Sequence, residues 1–329
     1  MPLAPRALLL RLTALVAAVV VGLAVLVLGT GGGVTADAAT TVRKPSAPQN
    51  LPEAIEPMAR YVPDTSCDPK GKPGAVKLGQ LLTTTYPNTT FLRGRTCGSS
   101  PDSEHYDGRA VDWMNSIRNK TQAAQAKAVI SWLFAKDADG NTYANARRLG
   151  VMYVIWDGKI WGAYSADRGW RTYAGCDKLT AKSYDTMCHR DHMHISLSWE
   201  GAMGRTSFWT GKVAATDYGP CRASGMVWAA PYKKARTTPC PQYPTPRAPK
   251  GASATYKSLL AVSGQTLVGG RTGSAVTAVQ RALKVPTTGR FDTTTQNAVR
   301  TWQSGHGLNR TGAVGLATWR TLLAGFAPK

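Results

Sequence analysis

Acidic residues are scarce in this sequence. Nineteen Asp and Glu stand against 40 Lys and Arg, a net charge of +21. That imbalance disfavours cationic partners and favours polyanions. The basic residues are scattered rather than blocked, and no nucleic-acid recognition motif is present, so specific nucleic-acid binding is not expected. The six cysteines contain no C-x-x-C spacing, which argues against a cysteine-held metal. Beyond the first 30 or so residues no stretch is apolar enough to cross a membrane. Histidine is also rare, with five in 329 residues, yet three of the five fall between His189 and His194.

At the N-terminus Arg6 and Arg11 precede a 17-residue apolar run, Leu12 to Leu28, followed by glycines and Ala36-Asp37-Ala38. A charged lead, an apolar centre and small residues at a cleavage point predict a signal peptide over residues 1–39. The alternative is an uncleaved membrane anchor, because 17 residues sit at the short edge of a bilayer span. Export makes the cysteines legible: Cys67, Cys97, Cys176, Cys188, Cys221 and Cys240 are an even set in an oxidising compartment. Of the connectivities open to six cysteines, nearest-neighbour pairing (67–97, 176–188, 221–240) is the expectation.

Two short segments hold the chemistry-bearing residues. Ser103-Glu104-His105-Tyr106-Asp107-Gly108-Arg109-Ala110-Val111-Asp112 and Asp191-His192-Met193-His194 together read as a metal site with a base beside it. Two imidazoles and a carboxylate with one coordination position open suit a hydrolytic zinc. The first segment fits S-x-H-x-x-G-x-A-x-D, and the second ends in H-x-H with an acidic residue three before the last His. The pair resembles the zinc peptidases related to D-alanyl-D-alanine carboxypeptidases and L-alanyl-D-glutamate endopeptidases, whose fold the hedgehog signalling domain shares. With Arg95-Thr96-Cys97 and the HRDHMHISLSW stretch, it looks closer still to a secreted actinobacterial subgroup of that fold. The resemblance covers about residues 53–230.

It implies Zn2+ held by His105, Asp112 and His194, with Asp191 as general base. It also implies that Arg95 steadies the developing oxyanion, although Arg93 and Arg109 are alternatives. Strand alternation places His192 on the face of His194 and Asp191 on the other. A regular strand through Asp191 therefore makes His192 the base, whereas a loop there lets Asp191 turn back. His189 and His306 are expected to be exposed, and Asp137–Asn141 to be a turn rather than a calcium loop.

The mature chain divides into a linker (40–52), the catalytic candidate (53–230), a Pro-rich spacer (231–256) and a small C-terminal domain (257–329). A helix is predicted over Thr121–Ala135, and a hairpin from Val151–Trp156 to Lys159–Gly162 across Asp157-Gly158. A further strand is predicted over His192–Trp199. The fold class is α+β, an antiparallel-sheet domain followed by a small all-α three-helix domain. Trp113, Tyr153, Trp156, Trp161, Tyr164 and Trp199 are read as core, as are Phe291, Trp302 and Trp319. In the last domain, Thr288-Gly289 with Thr295 recurs as Thr311-Gly312 with Thr318, and V-x-x-V-Q and A-V-x-x-W-Q precede the two copies. That pattern resembles the three-helix peptidoglycan-binding module and implies partners in the wall, namely peptidoglycan and anionic wall polymers.

Together these readings predict a secreted, cell-wall zinc metallopeptidase cutting stem or cross-link peptides of peptidoglycan. The alternative is a non-catalytic wall-binding protein with a structural zinc.

Overall fold

Six strands make one antiparallel sheet in the computed structural model, which describes residues 42–328 apart from Ser99. The predicted signal peptide lies outside the described residues. Among the described residues no helix is long and apolar enough to cross a membrane. The strands are β1 (Thr90–Leu92), β2 (Ala110–Met114), β3 (Val151–Trp156), β4 (Lys159–Gly162), β5 (Arg171–Thr172) and β6 (His192–Leu197), in the order β1-β2-β6-β3-β4-β5. The last strand in sequence thus sits near the middle, antiparallel to both β2 and β3.

Period-two alternation divides the sheet's work between its faces. One face presents Val111, Trp113, Val154, Met193, Ile195 and Leu197, all buried in the main core. Helices α1 (Pro73–Thr85) and α2 (Lys120–Phe134) cover it, contributing Leu78, Leu82, Val129 and Leu133. Burial of each such large side chain stabilises by ~1.5–3 kcal/mol relative to exposure. The other face carries Asp112, His192, His194, Ser196 and Tyr153. The helix predicted at Thr121 starts at Lys120, where the Asn119 side chain accepts from the Gln122 N–H and caps it. The hairpin forms as expected, with Asp157 (φ 50°) and Gly158 (φ 69°) both left-handed, as a two-residue type I′ turn requires.

The strand predicted to reach Trp199 ends at Leu197, because Ser198 caps the short helix α4 (Trp199–Ala202). Another short helix, α5 (Ser207–Thr210), follows it. The two edge strands β1 and β5, of three and two residues, are too short to leave a periodic signal. Trp113, Trp156, Trp161 and Trp199 are core as expected, whereas Tyr164 is 40% exposed. Asp137–Asn141 is a turn, its Asp137 carboxylate accepting from the backbone of Asp139 and Asn141 and pairing with Arg148 at 3.2 Å.

Beyond the sheet domain the described residues hold four helices where three were expected: α6 (Ala254–Val262), α7 (Ser274–Ala282), α8 (Thr293–Gly305) and α9 (Leu316–Phe326). The extra helix, α6, is capped by Ser253 and buries Leu259, Leu260 and Val262 against the cluster of Val276, Val279, Phe291, Val299 and Trp319. Trp302 is only partly buried, with His306 stacked on it at 3.9 Å. The repeated Thr-Gly pairs have a shared mechanical cause. The buried Gln280 amide donates to Thr288, Thr295 and the Arg290 carbonyl and accepts from the Gly289 N–H. Gln303 makes the same four bonds to Thr311, Thr318, Ala313 and Gly312. Each copy is a loop wrapped around one buried amide, and every polar atom of that amide finds a partner.

Three disulfides form, 67–97, 176–188 and 221–240, with sequence separations of 30, 12 and 19 residues. In the chain-entropy account each contributes on the order of 3 kcal/mol. The segment predicted as a spacer is extended but tied down: Cys240 is bridged to Cys221, the Tyr218 N–H donates to the Arg236 carbonyl, and Tyr232 bonds Arg205 and Asp217.

One buried ion pair lies beneath the loop that carries His105. Arg109 is fully buried, donates to both oxygens of Asp107, and reaches the carbonyls of Leu197 and Val62. Burial followed by the charge of Asp107 pushes the Asp64 carboxyl far above its ordinary value. Removing the cation from such a cluster strands a buried charge. Arg109→Ala should therefore lose about 3–5 kcal/mol of stability. Urea unfolding at neutral pH with the disulfides intact measures it, and an unchanged midpoint would refute the assignment.

Candidate metal centre

Three side chains from three places in the chain converge on the open face of the sheet. Asp112 on β2 stands directly opposite His194 on β6, and His105 comes in from the turn that precedes β2. The turn needs Gly108. Its φ of 75° is left-handed, and a Cβ there would lie 2.2 Å from the Lys70 carbonyl oxygen. His105 Nε2, Asp112 Oδ1 and His194 Nδ1 lie 3.0, 2.9 and 3.2 Å apart pairwise. Two atoms held tetrahedrally at ~2.0–2.1 Å from one ion are ~3.3 Å apart, so this triangle fits a single small cation. Among the described residues these three form the group able to hold a metal ion.

The outer bonds support that reading. His105 Nδ1 bonds the Arg93 carbonyl, which only accepts, so Nδ1 carries the proton and Nε2 of the neutral ring presents a lone pair. A lone pair aimed at a carboxylate oxygen 3.0 Å away is repulsive unless a cation or a proton lies between them. On the far side of His194, Nε2 lies 2.8 Å from Ser196 Oγ, and that hydroxyl donates to Glu104 Oε2 at 3.3 Å. The Tyr153 hydroxyl donates to the same oxygen, and its ring stacks on His194 with centroids 5.4 Å apart. Burial lowers the His194 pKa, keeping the ring neutral and available as a ligand.

The other expected site residues fall in different places. Asp191 precedes the strand, in a bend, and its carboxylate faces away from the triangle: Oδ1 is 2.6 Å from His192 Nδ1 and Oδ2 accepts from Thr186. His192 Nε2 lies 3.6 Å from Asp112 Oδ1, so the imidazole stands between Asp191 and the ligand carboxylate. The Arg95 side chain is exposed at the rim, its guanidinium 5.4 Å from the Tyr106 ring. Arg93 is also exposed and supplies its carbonyl to His105, whereas Arg109 is sealed in the core and unavailable to a substrate.

His189 is a correction. It was expected to be exposed, but it is half-buried, with its ring 4.7 Å from His192 and 5.1 Å from Tyr173. Its left-handed backbone (φ 52°) and the adjacent Cys176–Cys188 bridge turn it inward. Burial first, then the imidazoles of His194 and His192, push its pKa down to about 3, so it is an uncharged wall. His306 is exposed as expected.

Glu104, Tyr153, Ser196 and His189 were the participants missed from sequence. Glu104 and Ser196 do carry a signal, since each lies next to or two positions from a ligand His. A cavity of about 470 Å³ between Arg60, Tyr61, Tyr218 and Arg222 contains none of the three ligands.

Comparison with known families gives two matches. The family described as the C-terminal domain of VldE matches residues 67–184, a span that includes His105 and Asp112 and stops short of His194. A peptidoglycan binding domain matches residues 266–322. No curated protein and no solved structure matches the chain. The second match places peptidoglycan among the partners and, with the three disulfides, an extracellular or wall location.

His105→Ala, Asp112→Ala and His194→Ala should each abolish stoichiometric metal binding, while Ser196→Ala should retain it with ~10–100-fold weaker affinity. Metal analysis and chelator competition on the purified proteins check this, and full occupancy in the three ligand variants would refute the centre.

Proposed function

We propose that the protein is an exported zinc-dependent peptidase that cuts stem or cross-link peptides of peptidoglycan. The observation that carries the reading is the trio of His105 Nε2, Asp112 Oδ1 and His194 Nδ1 within 3.2 Å, with His192 Nε2 a further 3.6 Å from the same carboxylate. Two imidazoles and one carboxylate suit zinc and leave a coordination position free, as hydrolytic sites do and closed structural sites do not. When bound there, zinc supplies a water of pKa near ~7 and a Lewis acid for a peptide carbonyl.

The chain's own groups account for the rest. In this reading His192, whose Nε2 lies 3.6 Å from Asp112 Oδ1, accepts a proton from water and returns it to the leaving amine. Asp191 Oδ1 holds His192 Nδ1–H and stabilises the imidazolium as it forms, so the carboxylate works through the imidazole rather than as the base itself. Glu104 and Ser196 fix the tautomer and tilt of His194. Arg95 on the rim offers a cation to an anionic part of the substrate. The C-terminal module brings the site to the polymer.

Mass spectrometry of muropeptides after incubation with the zinc-loaded protein tests the reading. Wild type should release peptide fragments. His192→Ala should keep its zinc and lose ~10²–10⁴-fold in rate, and Asp191→Asn should lose less. If Asp191→Asn is the dead variant and His192→Ala the mild one, the roles are reversed. If zinc-loaded wild type releases nothing at any pH, the protein is a wall-binding protein with a structural metal.

A further inference from the structure

The loop that carries His105 is strapped from both sides. The Asp68 N–H donates to the Tyr106 carbonyl at 2.7 Å, the Lys72 N–H to Gly108 at 2.9 Å, and the Arg95 N–H to the His105 carbonyl itself at 3.3 Å. The two straps, around 66–72 and 93–97, are joined by the Cys67–Cys97 bridge.

The C-terminal module rests on this assembly. Cys67, Tyr106 and Trp228 share one buried cluster with Leu259, Val276, Phe291 and Trp319, and the rings of Tyr106 and Trp228 lie 6.1 Å apart. The Arg271 guanidinium donates to the Cys67 carbonyl and lies 3.3 Å from its sulfur. Trp228 is the keystone of the contact. It is fully buried, its N–H donates to the Ser263 carbonyl at 2.8 Å, and its indole N–H donates to Ala261 at 2.9 Å. The next residue turns the other way, the Ala229 N–H donating to Thr65 at 2.6 Å. Gly264 permits the approach, since a Cβ there would lie 1.9 Å from the Trp228 carbonyl oxygen and its φ is 95°.

We propose that the wall-binding module is also a structural part of the metal centre. Docked through Trp228, Gly264 and Arg271, it holds the Cys67–Cys97 straps and Tyr106 in place, and through them His105. A flexible tether would leave the site indifferent to the module, whereas a docked one makes metal affinity depend on contacts remote from any ligand. Arg271 and Trp228 are positioning residues in this scheme. The proposal rests on the metal-site reading of the previous section, and its test reads metal affinity rather than turnover.

The experiment compares zinc affinity by chromophoric chelator competition, and sedimentation with insoluble peptidoglycan, for the full chain and its Arg271→Ala and Gly264→Ala variants. Both variants should bind zinc roughly 10-fold more weakly, as loss of an outer support does. Arg271→Ala should sediment with the wall as wild type does. Arg271→Ala removes only a guanidinium and decides the matter if Gly264→Ala does not fold. Wild-type zinc affinity in a folded Arg271→Ala protein overturns the proposal. Absence of zinc binding in wild type would instead overturn the metal-site reading.

Discussion

The pairing of β2 with β6 is the constraint on which everything else depends. It sets Asp112 directly across from His194, and on the reverse face it sets Val111 across from Ile195 and Trp113 from Met193. Because side chains alternate, a slip of one residue would carry both ligands into the core and the apolar residues onto the open face. Burial of Trp113, Met193 and Ile195 therefore holds the register that brings the candidate metal ligands together. The hydrophobic effect acts here on the geometry of polar atoms several ångströms away.

Around that pair, the side chains are oriented by bonds on the far side of the three candidate ligand atoms. His105 is fixed by a backbone carbonyl, His194 by Ser196 and Glu104, and His192 by Asp191. Each imidazole thus has its outer nitrogen occupied and its inner nitrogen free. That arrangement selects tautomers before any ion arrives and lowers the reorganisation needed to bind one. The acid cluster under the His105 turn has a different role. Arg109 neutralises it and pins the turn to Leu197 and Val62, so its charge is spent on structure.

How much of this was readable follows from what each feature needs. The ligand types and the hairpin lie in contiguous residues with definite spacing, and local patterns of that kind survive in a bare sequence. The Glu104–Ser196 link joins residues 92 apart and depends on a register that no local pattern encodes. His189 looked like a surface histidine because its inward turn comes from a left-handed backbone and a disulfide, neither visible as periodicity. The role of Asp191 hinged on where β6 begins. With the strand starting at His192, its carboxylate turns back onto that imidazole rather than toward the ligand triangle. The Pro-rich segment 231–256 read as a semi-extended spacer, but the Cys221–Cys240 bridge and the bonds of Tyr232 to Arg205 and Asp217 tie it to the fold.

The central claim is an open metal centre with three protein ligands. X-ray absorption at the zinc edge of the loaded full-length protein tests it most directly. The account predicts two imidazole nitrogens and two oxygens at ~2.0–2.1 Å, one oxygen from Asp112 and one from solvent. A sulfur shell near ~2.3 Å, or a third imidazole closing the site in place of solvent, would contradict it.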